Sequence, residues 1–335
     1  MKAYQIEKFG IENLSVSELE QPSPGESEVL VRLHAASLNY RDLMMVEGTY
    51  NPKLKLPLIP FSDGAGEVIA VGDAVTRWKP GDRVCPIFMQ GWIDGELDHK
   101  KSKTTLGGDL NGCLREFGVF REDGLVSIPE HLSYEEASCL PCAGVTAWNA
   151  LMVSGGLKKG ESVLVQGTGG VSLFALQFSK LAGAHVIATS SSDEKLAKAK
   201  ELGADETINY REHEDWDSVV LELTNKRGVD HVVEVGGPGT MQRSMRAAKM
   251  QGHIAVIGVV AGSGDFSNVP IFMKALRLIG VFVGSREMFE EMNTAIEQTR
   301  IRPVVDRVFD FGSVSDALNY MRSAKHFGKI VVSIS

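Results

Sequence analysis

Apolar and polar positions alternate in two different rhythms along the chain. Over about the first 125 residues the rhythm is that of short strands. Val29–His34 alternates, and Gly66–Val71 and Arg83–Ile87 are apolar runs bounded by Gly, Asp and Pro. Asn39–Met45 reads as a helical turn, Gly48–Pro52 as a loop, and Met89–Asn111 as a long polar, glycine-rich excursion. Tyr134–Val153 is largely apolar at helical spacing and should pack where two domains meet.

From Val163 onward strands and helices take turns. Strands are expected at Val163–Gln166, His185–Thr189, Glu206–Asn209, Asp230–Val235, Gly252–Ile257 and Leu278–Val283, with helices between most of them. Repeated βα units of this length build a parallel sheet with right-handed crossovers, so the class is α/β. A helix around Met288–Ile296, another over Val314–Ala324 and a closing strand from Lys329 follow. A sheet of about six strands is complete without them, so they should return to the first domain.

The passage Val163-Leu-Val-Gln-Gly167-Thr-Gly169-Gly170-Val171-Ser172 couples a β-branched strand to a glycine turn and then to a helix whose apolar positions include Phe174, Ala175 and Phe178. Free backbone N–H groups and the positive helix end at such a turn bind a dinucleotide pyrophosphate. Ser172 stands at the third motif glycine and is small enough for helix and strand to pack. NAD enzymes carry Asp or Glu at the end of the second strand, where it binds the ribose 2′-hydroxyl. Here that position is Ser190, followed by Ser191, so the repulsion of a 2′-phosphate is removed and the cofactor expected is NADPH. Ser192 or Asp193 should also cap the next helix.

With 335 residues, 43% hydrophobic and 23% charged, the chain has the composition of a globular protein of two domains. A net charge of −8 leaves no basic footprint for nucleic acid or an anionic membrane. Four cysteines and no apolar leader point to the reducing cytoplasm. Cys139-x-x-Cys142 lies in an apolar segment and reads as inert core. His34 reads as a satisfied histidine, and Lys100, Lys101 and Lys103 as a solvated loop.

Asn39-Tyr-Arg-Asp42, Gly64-Ala-Gly-Glu-Val68, Val71-Gly-Asp-Ala-Val75, Gly81-Asp-Arg-Val84, Ala143-Gly-Val-Thr-Ala147, the Gly167 loop and Gly328-Lys-Ile-Val331 form an ordered series. In these the sequence resembles the medium-chain dehydrogenase/reductase superfamily over essentially its whole length. The resemblance implies a GroES-like catalytic domain, residues 1–143 and 285–335, around a Rossmann NADP-binding domain, residues 144–284. It implies substrate in the cleft and a homodimer formed through the last Rossmann strand. It also implies that Thr146, Gly236, Gly258 and Val283 surround the nicotinamide half, and that Lys195 and Tyr210 contact the 2′-phosphate.

Alcohol dehydrogenases of this superfamily hold a catalytic zinc on Cys, His and Cys, with a Glu after the His. Matched by motif, Asn39 replaces the first Cys, Ser62 the His and Asp63 the Glu; only Cys142 remains. One thiolate cannot build a three-ligand open zinc site, so no metal is expected. Without it an alcohol is hard to oxidise, whereas a quinone or an α,β-unsaturated carbonyl needs only hydride, a hydrogen bond to the developing oxyanion and a proton. The zinc-free branch that the chain resembles contains quinone oxidoreductases and 2-enoyl thioester reductases. Asn39 and Tyr40 match its pocket-lining pair. Tyr50 matches its proton-donating tyrosine, or else is a loop tyrosine that caps the cleft. Asp42 should fix its loop by hydrogen bonds, and Asp63 could be a turn residue. Two other readings stay open: a dehydrogenase that recruits zinc through other ligands, and a non-catalytic NADPH-binding sensor or structural protein.

Overall fold

The computed structural model describes residues 1–262 and 264–334. The chain divides into two compact units, Met1–Val145 with Gly284–Ser335, and Thr146–Val283.

In the first unit β1 (Lys2–Ile6) and β2 (Leu14–Glu18) form an antiparallel pair. Then come β3 (Glu28–Leu38), α1 (Tyr40–Glu47), β4 (Asp63–Val71), β5 (Arg83–Pro86), β6 (Phe117–Arg121), β7 (Leu125–Ser127) and α2 (Tyr134–Ala137). After Cys139 the helical segment is not uniform. Leu140–Gly144 and Asn149–Val153 are π turns on either side of α3 (Val145–Trp148), the first with Pro141, which has no N–H for a regular ladder, at its second position.

The second unit runs β8 (Ser162–Gln166), α4 (Gly170–Leu181), β9 (His185–Ser190), α5 (Asp193–Glu201), β10 (Glu206–Asn209), α6 (Trp216–Leu223), β11 (Val229–Glu234), α7 (Pro238–Ala247), β12 (Ala248–Val256), α8 (Val269–Met273) and β13 (Arg277–Gly280). Its six strands are all parallel in the order β10-β9-β8-β11-β12-β13, so their carboxyl ends share one edge. Leu164, Ile187, Val232 and Ile254 are fully buried at its centre, as fits strands covered by helices on both faces. The last strand is shorter than its apolar run suggests. It ends at Gly280, and three residues further on Val283 takes a φ of 61° that no strand accommodates.

The first unit closes with α9 (Arg286–Thr299), β14 (Val305–Asp310), α10 (Val314–Arg322) and β15 (Lys329–Ser333). A seven-stranded sheet follows the order β14-β15-β3-β4-β5-β7, with β6 also on β3. The antiparallel register Ile330↔Leu38 sets Lys329 beside the end of β3, although 290 residues separate it from Asn39. Val31, Leu38, Phe61, Leu318 and Ile330 belong to the core beneath.

The excursion over residues 89–111 is tied down by its own polar groups. Lys101 Nζ, expected to be solvated, donates to the carbonyls of Asp94 (2.8 Å) and Glu96 (2.7 Å). Arg41 donates to Leu106 O at 3.0 Å and to Thr105 Oγ1 at 3.1 Å, and Met89 and Trp92 are buried.

Candidate active site

The glycine turn after β8 is shaped for an anion. Gly167 has a φ of 69°, and a Cβ added at Gly167 or Gly169 would meet nothing within 4 Å, so the loop faces open space. Gly169 caps α4 without any side-chain acceptor, leaving the N–H groups around Gly170 and Val171 for a ligand. Ser172 Oγ donates to Gln166 O at 2.6 Å and binds the helix start to the strand end.

Beside this loop a cavity of about 450 Å³ is lined by Gly167, Thr189, Tyr210, Trp216, Gly236 and Arg243, among others. Of the expected cofactor residues it therefore gathers Gly167, Tyr210 and Gly236. Ser190 is buried at the end of β9, and its carbonyl accepts the Tyr210 N–H at 3.0 Å. Ser191 is half-buried; Ser192 caps α5, accepting the Lys195 N–H at 3.4 Å, with Lys195 half-buried in the first turn. Thr146, Gly258 and Val283 do not line the cavity. A side chain at Gly258 would lie 2.2 Å from Val235 O, which is a packing reason for that glycine. Val283 holds its αL conformation with its carbonyl accepting Asn149 Nδ2 at 2.7 Å. For a β-branched residue that backbone costs about 1–3 kcal/mol.

Glu234 belongs to this region although its sequence neighbourhood gives it only a place at a strand end. Its carboxylate is fully buried at the end of β11. Oε1 accepts the N–H groups of Gly236 (2.8 Å) and Gly237 (2.9 Å) and the Thr240 hydroxyl (2.6 Å) at the positive start of α7. Oε2 accepts Gln166 Nε2 at 2.8 Å and the Ser244 hydroxyl. The Gly236 amide is thus taken up chiefly by Glu234, with Gln166 Oε1 a second acceptor at 3.4 Å. The open turn, the uncapped helix and the cavity fit a bound dinucleotide.

In the other unit Asn39, Ser62, Asp63 and Lys329 form a ring of three hydrogen bonds closed by one ion pair. Lys329 is 3% exposed, and its ammonium donates to Asn39 Oδ1 at 2.6 Å and Leu38 O at 2.7 Å, 3.8 Å from Asp63 Oδ2. Asn39 Nδ2 donates to Ser62 Oγ at 3.3 Å, and Ser62 Oγ to Asp63 Oδ1 at 2.6 Å. Asp63 Oδ2 also accepts the Cys142 N–H at 3.1 Å, so Asp63 is far more than a turn residue. Asp42 fixes the loop from below, accepting the N–H groups of Asn39 (2.8 Å) and Ser62 (3.3 Å). Burial pushes its carboxyl up to about 6, against the pull of Arg41. Lys329 gave a signal only as part of a terminal motif; its place in the ring needs the β15–β3 register.

Tyr40 and Tyr50 are exposed at 43% and 45%, at the first position of α1 and just beyond its end. The Arg41 guanidinium lies 5.4 Å from the Tyr50 ring centre, and so joins this tyrosine to the start of the helix. His34, expected to be satisfied, stacks on Tyr134 with ring centres 4.4 Å apart.

Residues 25–130 match the model of the alcohol dehydrogenase GroES-like domain, and residues 170–298 that of zinc-binding dehydrogenases. A zinc-type alcohol dehydrogenase-like protein of Schizosaccharomyces pombe is 45% identical, over 97% of this chain and 96% of its own. The chain belongs to the medium-chain dehydrogenase/reductase superfamily. It is an oxidoreductase of that family, with the GroES-like and Rossmann folds that the family name carries. An NAD-dependent alcohol dehydrogenase structure matches this medium-chain enzyme with a TM-score of 0.92 and 34% identity over 100% of both chains. A 2-octenoyl-CoA carboxylase reductase, solved with NADP and 2-octenoyl-CoA, matches with a TM-score of 0.85 and 26% identity over 96% of this chain and 82% of its own.

The zinc of the family does not fit this enzyme's residues. The matched positions offer an amide, a hydroxyl, a carboxylate and one thiol, and an ammonium already sits among them. Burial and the neighbouring Asp63 charge raise the Cys142 thiol well above its ordinary pKa, away from the thiolate a metal takes. Among the described residues no group of three or more His, Cys, Asp and Glu side chains is placed to hold a metal ion. Burial likewise pushes Cys139 up to about 12, and all four cysteines are free.

Proposed function

We propose that this medium-chain enzyme is an NADPH-dependent, zinc-independent reductase of quinones or α,β-unsaturated carbonyls. The observation that carries the reading is the Lys329–Asn39–Ser62–Asp63 ring at positions where zinc enzymes of the family keep ligands. Bound NADPH would supply hydride to the electron-poor carbon of the acceptor, leaving as NADP⁺. The electron pair displaced from that carbon moves onto the carbonyl oxygen, where an N–H of Asn39 can receive the developing charge. A proton then completes the reduction, and Tyr50 is the donor of choice, because a phenol is protonated at neutral pH.

NADPH is favoured over NADH by the absence of a carboxylate at Ser190, with Lys195 and Tyr210 as the 2′-phosphate contacts and Arg243 on the cavity wall. The four free thiols support a cytoplasmic setting, and among the described residues no helix is long and apolar enough to cross a membrane. We further propose a homodimer through the edge strand β13, beside which Phe272, Met273 and Ile279 are exposed.

The deciding experiment follows NADPH and NADH oxidation with a panel of quinones and enones in the presence of a chelator, alongside metal analysis. Turnover with NADPH at undiminished rate is expected. Stoichiometric zinc on which activity depends, or coenzyme oxidation absent across the panel, would overturn the reading.

A further inference from the structure

Three groups, Lys329, Ser62 and Asp63, leave the Asn39 carboxamide a single orientation. An ammonium has donors only, so the atom 2.6 Å from Lys329 Nζ has to be the carboxamide oxygen. Nδ2 then lies on the other side, toward Ser62 Oγ at 3.3 Å. The Ser62 proton is committed to Asp63 Oδ1 at 2.6 Å, since an ionised carboxylate only accepts, and Ser62 Oγ therefore meets Asn39 as an acceptor. A flipped amide would set NH₂ against NH₃⁺ and C=O against the Ser62 lone pairs. The ring runs one way, from a group that only donates to a group that only accepts, and Lys329 and Asp63 stand 3.8 Å apart at its ends. Two hydrogens sit on Nδ2. One goes to Ser62; the other has no acceptor among the described residues, on a side chain that is half-buried rather than sealed in the core.

We infer that Lys329 is a positioning residue, whose ammonium locks the Asn39 carboxamide so that its second N–H is held ready for the carbonyl oxygen of the acceptor. The inference rests on the proposed reduction of a conjugated carbonyl. It assigns the pull on oxygen to a neutral amide donor, and the positive charge to a buried lysine that never touches the substrate. The charge of Lys329 is balanced locally by Asp63, as a buried ammonium requires. Its methylene stem arrives on β15, so the C-terminal strand completes a site begun by the first forty residues.

Four variants and one spectrum test it. Lys329→Met keeps the stem but frees the amide to rotate; kcat should fall about a hundredfold, the scale of losing one oriented oxyanion donor, with KM for NADPH unchanged. Asn39→Asp keeps an oxygen for Lys329 but has no N–H, and should lose as much kcat while remaining folded. In Lys329→Met/Asn39→Asp the two losses should not multiply, since one acts through the other. Lys329→Arg, also donor-only, should recover part of the rate. Independently of turnover, the Asn39 side-chain ¹⁵N–¹H pair should exchange slowly in the wild type and faster in Lys329→Met. Multiplying losses, an Asn39→Asp enzyme with full kcat, a loss confined to KM for NADPH, or unchanged amide exchange would each overturn the inference. If wild type reduces no quinone or enone, the proposed reaction falls by itself, and the exchange data still decide whether Lys329 holds the amide.

Discussion

Gln166 Nε2 donates to Glu234 Oε2 at 2.8 Å, joining the ends of two neighbouring parallel strands beneath the glycine turn. The same carboxylate takes the Gly236 and Gly237 amides, so one buried charge sets the spacing between the glycine turn and the start of α7. In Glu234→Gln the new amide can accept on one side only, and a donor faces donors on the other. The variant should lose about 3 kcal/mol of stability, the scale of an unpaired buried group together with a lost charged bond. It should also bind NADPH more weakly, measured by chemical denaturation and by coenzyme titration.

Ser190 stands where a carboxylate would bar a 2′-phosphate. Ser190→Asp should reduce kcat/KM for NADPH about tenfold or more, with a smaller change for NADH. Parallel kinetics with the two coenzymes check it; an equal fall with both would mean that the site discriminates elsewhere.

Tyr50 is exposed and reaches Arg41 rather than the core, so its hydroxyl can be removed with little effect on folding. As proton donor, Tyr50→Phe should reduce kcat on an enone about a hundredfold, within the range of general acid catalysis, at unchanged melting temperature. Unchanged kcat would make it a loop tyrosine only.

The Asp42 carboxyl is raised by burial to about 6 from an ordinary value of 3.8. Because the folded state holds this proton more tightly than the unfolded chain, the group favours folding fully below pH 3.8, and that advantage is lost as pH rises through about 6. The span corresponds to about 3 kcal/mol. The stability of the wild type relative to Asp42→Asn should therefore decline between pH 4 and pH 7, as read by urea denaturation across that range. A difference that does not vary with pH would mean that Asp42 is ionised throughout.

Among the described residues strand β13 pairs with β12 alone, and Ile279 on it is 39% exposed, with Phe272 at 67% and Met273 at 64% nearby. An open apolar edge of this kind invites a second strand. The wild type should run as a dimer in light scattering, and Ile279→Lys should run as a folded monomer.

Much of the second unit is legible in the chain itself. Strand and helix periods alternate from Val163 to Gly280, and a glycine turn between strand and helix has one common use, because both signals arise from residues adjacent in sequence. The π turns over residues 140–153 escape such a reading, since apolar spacing does not distinguish an α from a π ladder. Glu234 escapes it too, because a carboxylate at a strand end is stabilised by Gln166, Thr240 and Ser244, partners the sequence does not mark.

The candidate site divides in the same way. The chain alone determines what is missing: three of the four matched zinc-site positions hold an amide, a hydroxyl and a shorter acid. What stands there instead is decided by tertiary structure. Lys329 meets Asn39 across 290 residues only because β15 pairs with β3 in one register, and a shift by a single residue would turn its side chain to the opposite face of the sheet. Residue types set the available donors and acceptors; strand pairing sets which of them meet.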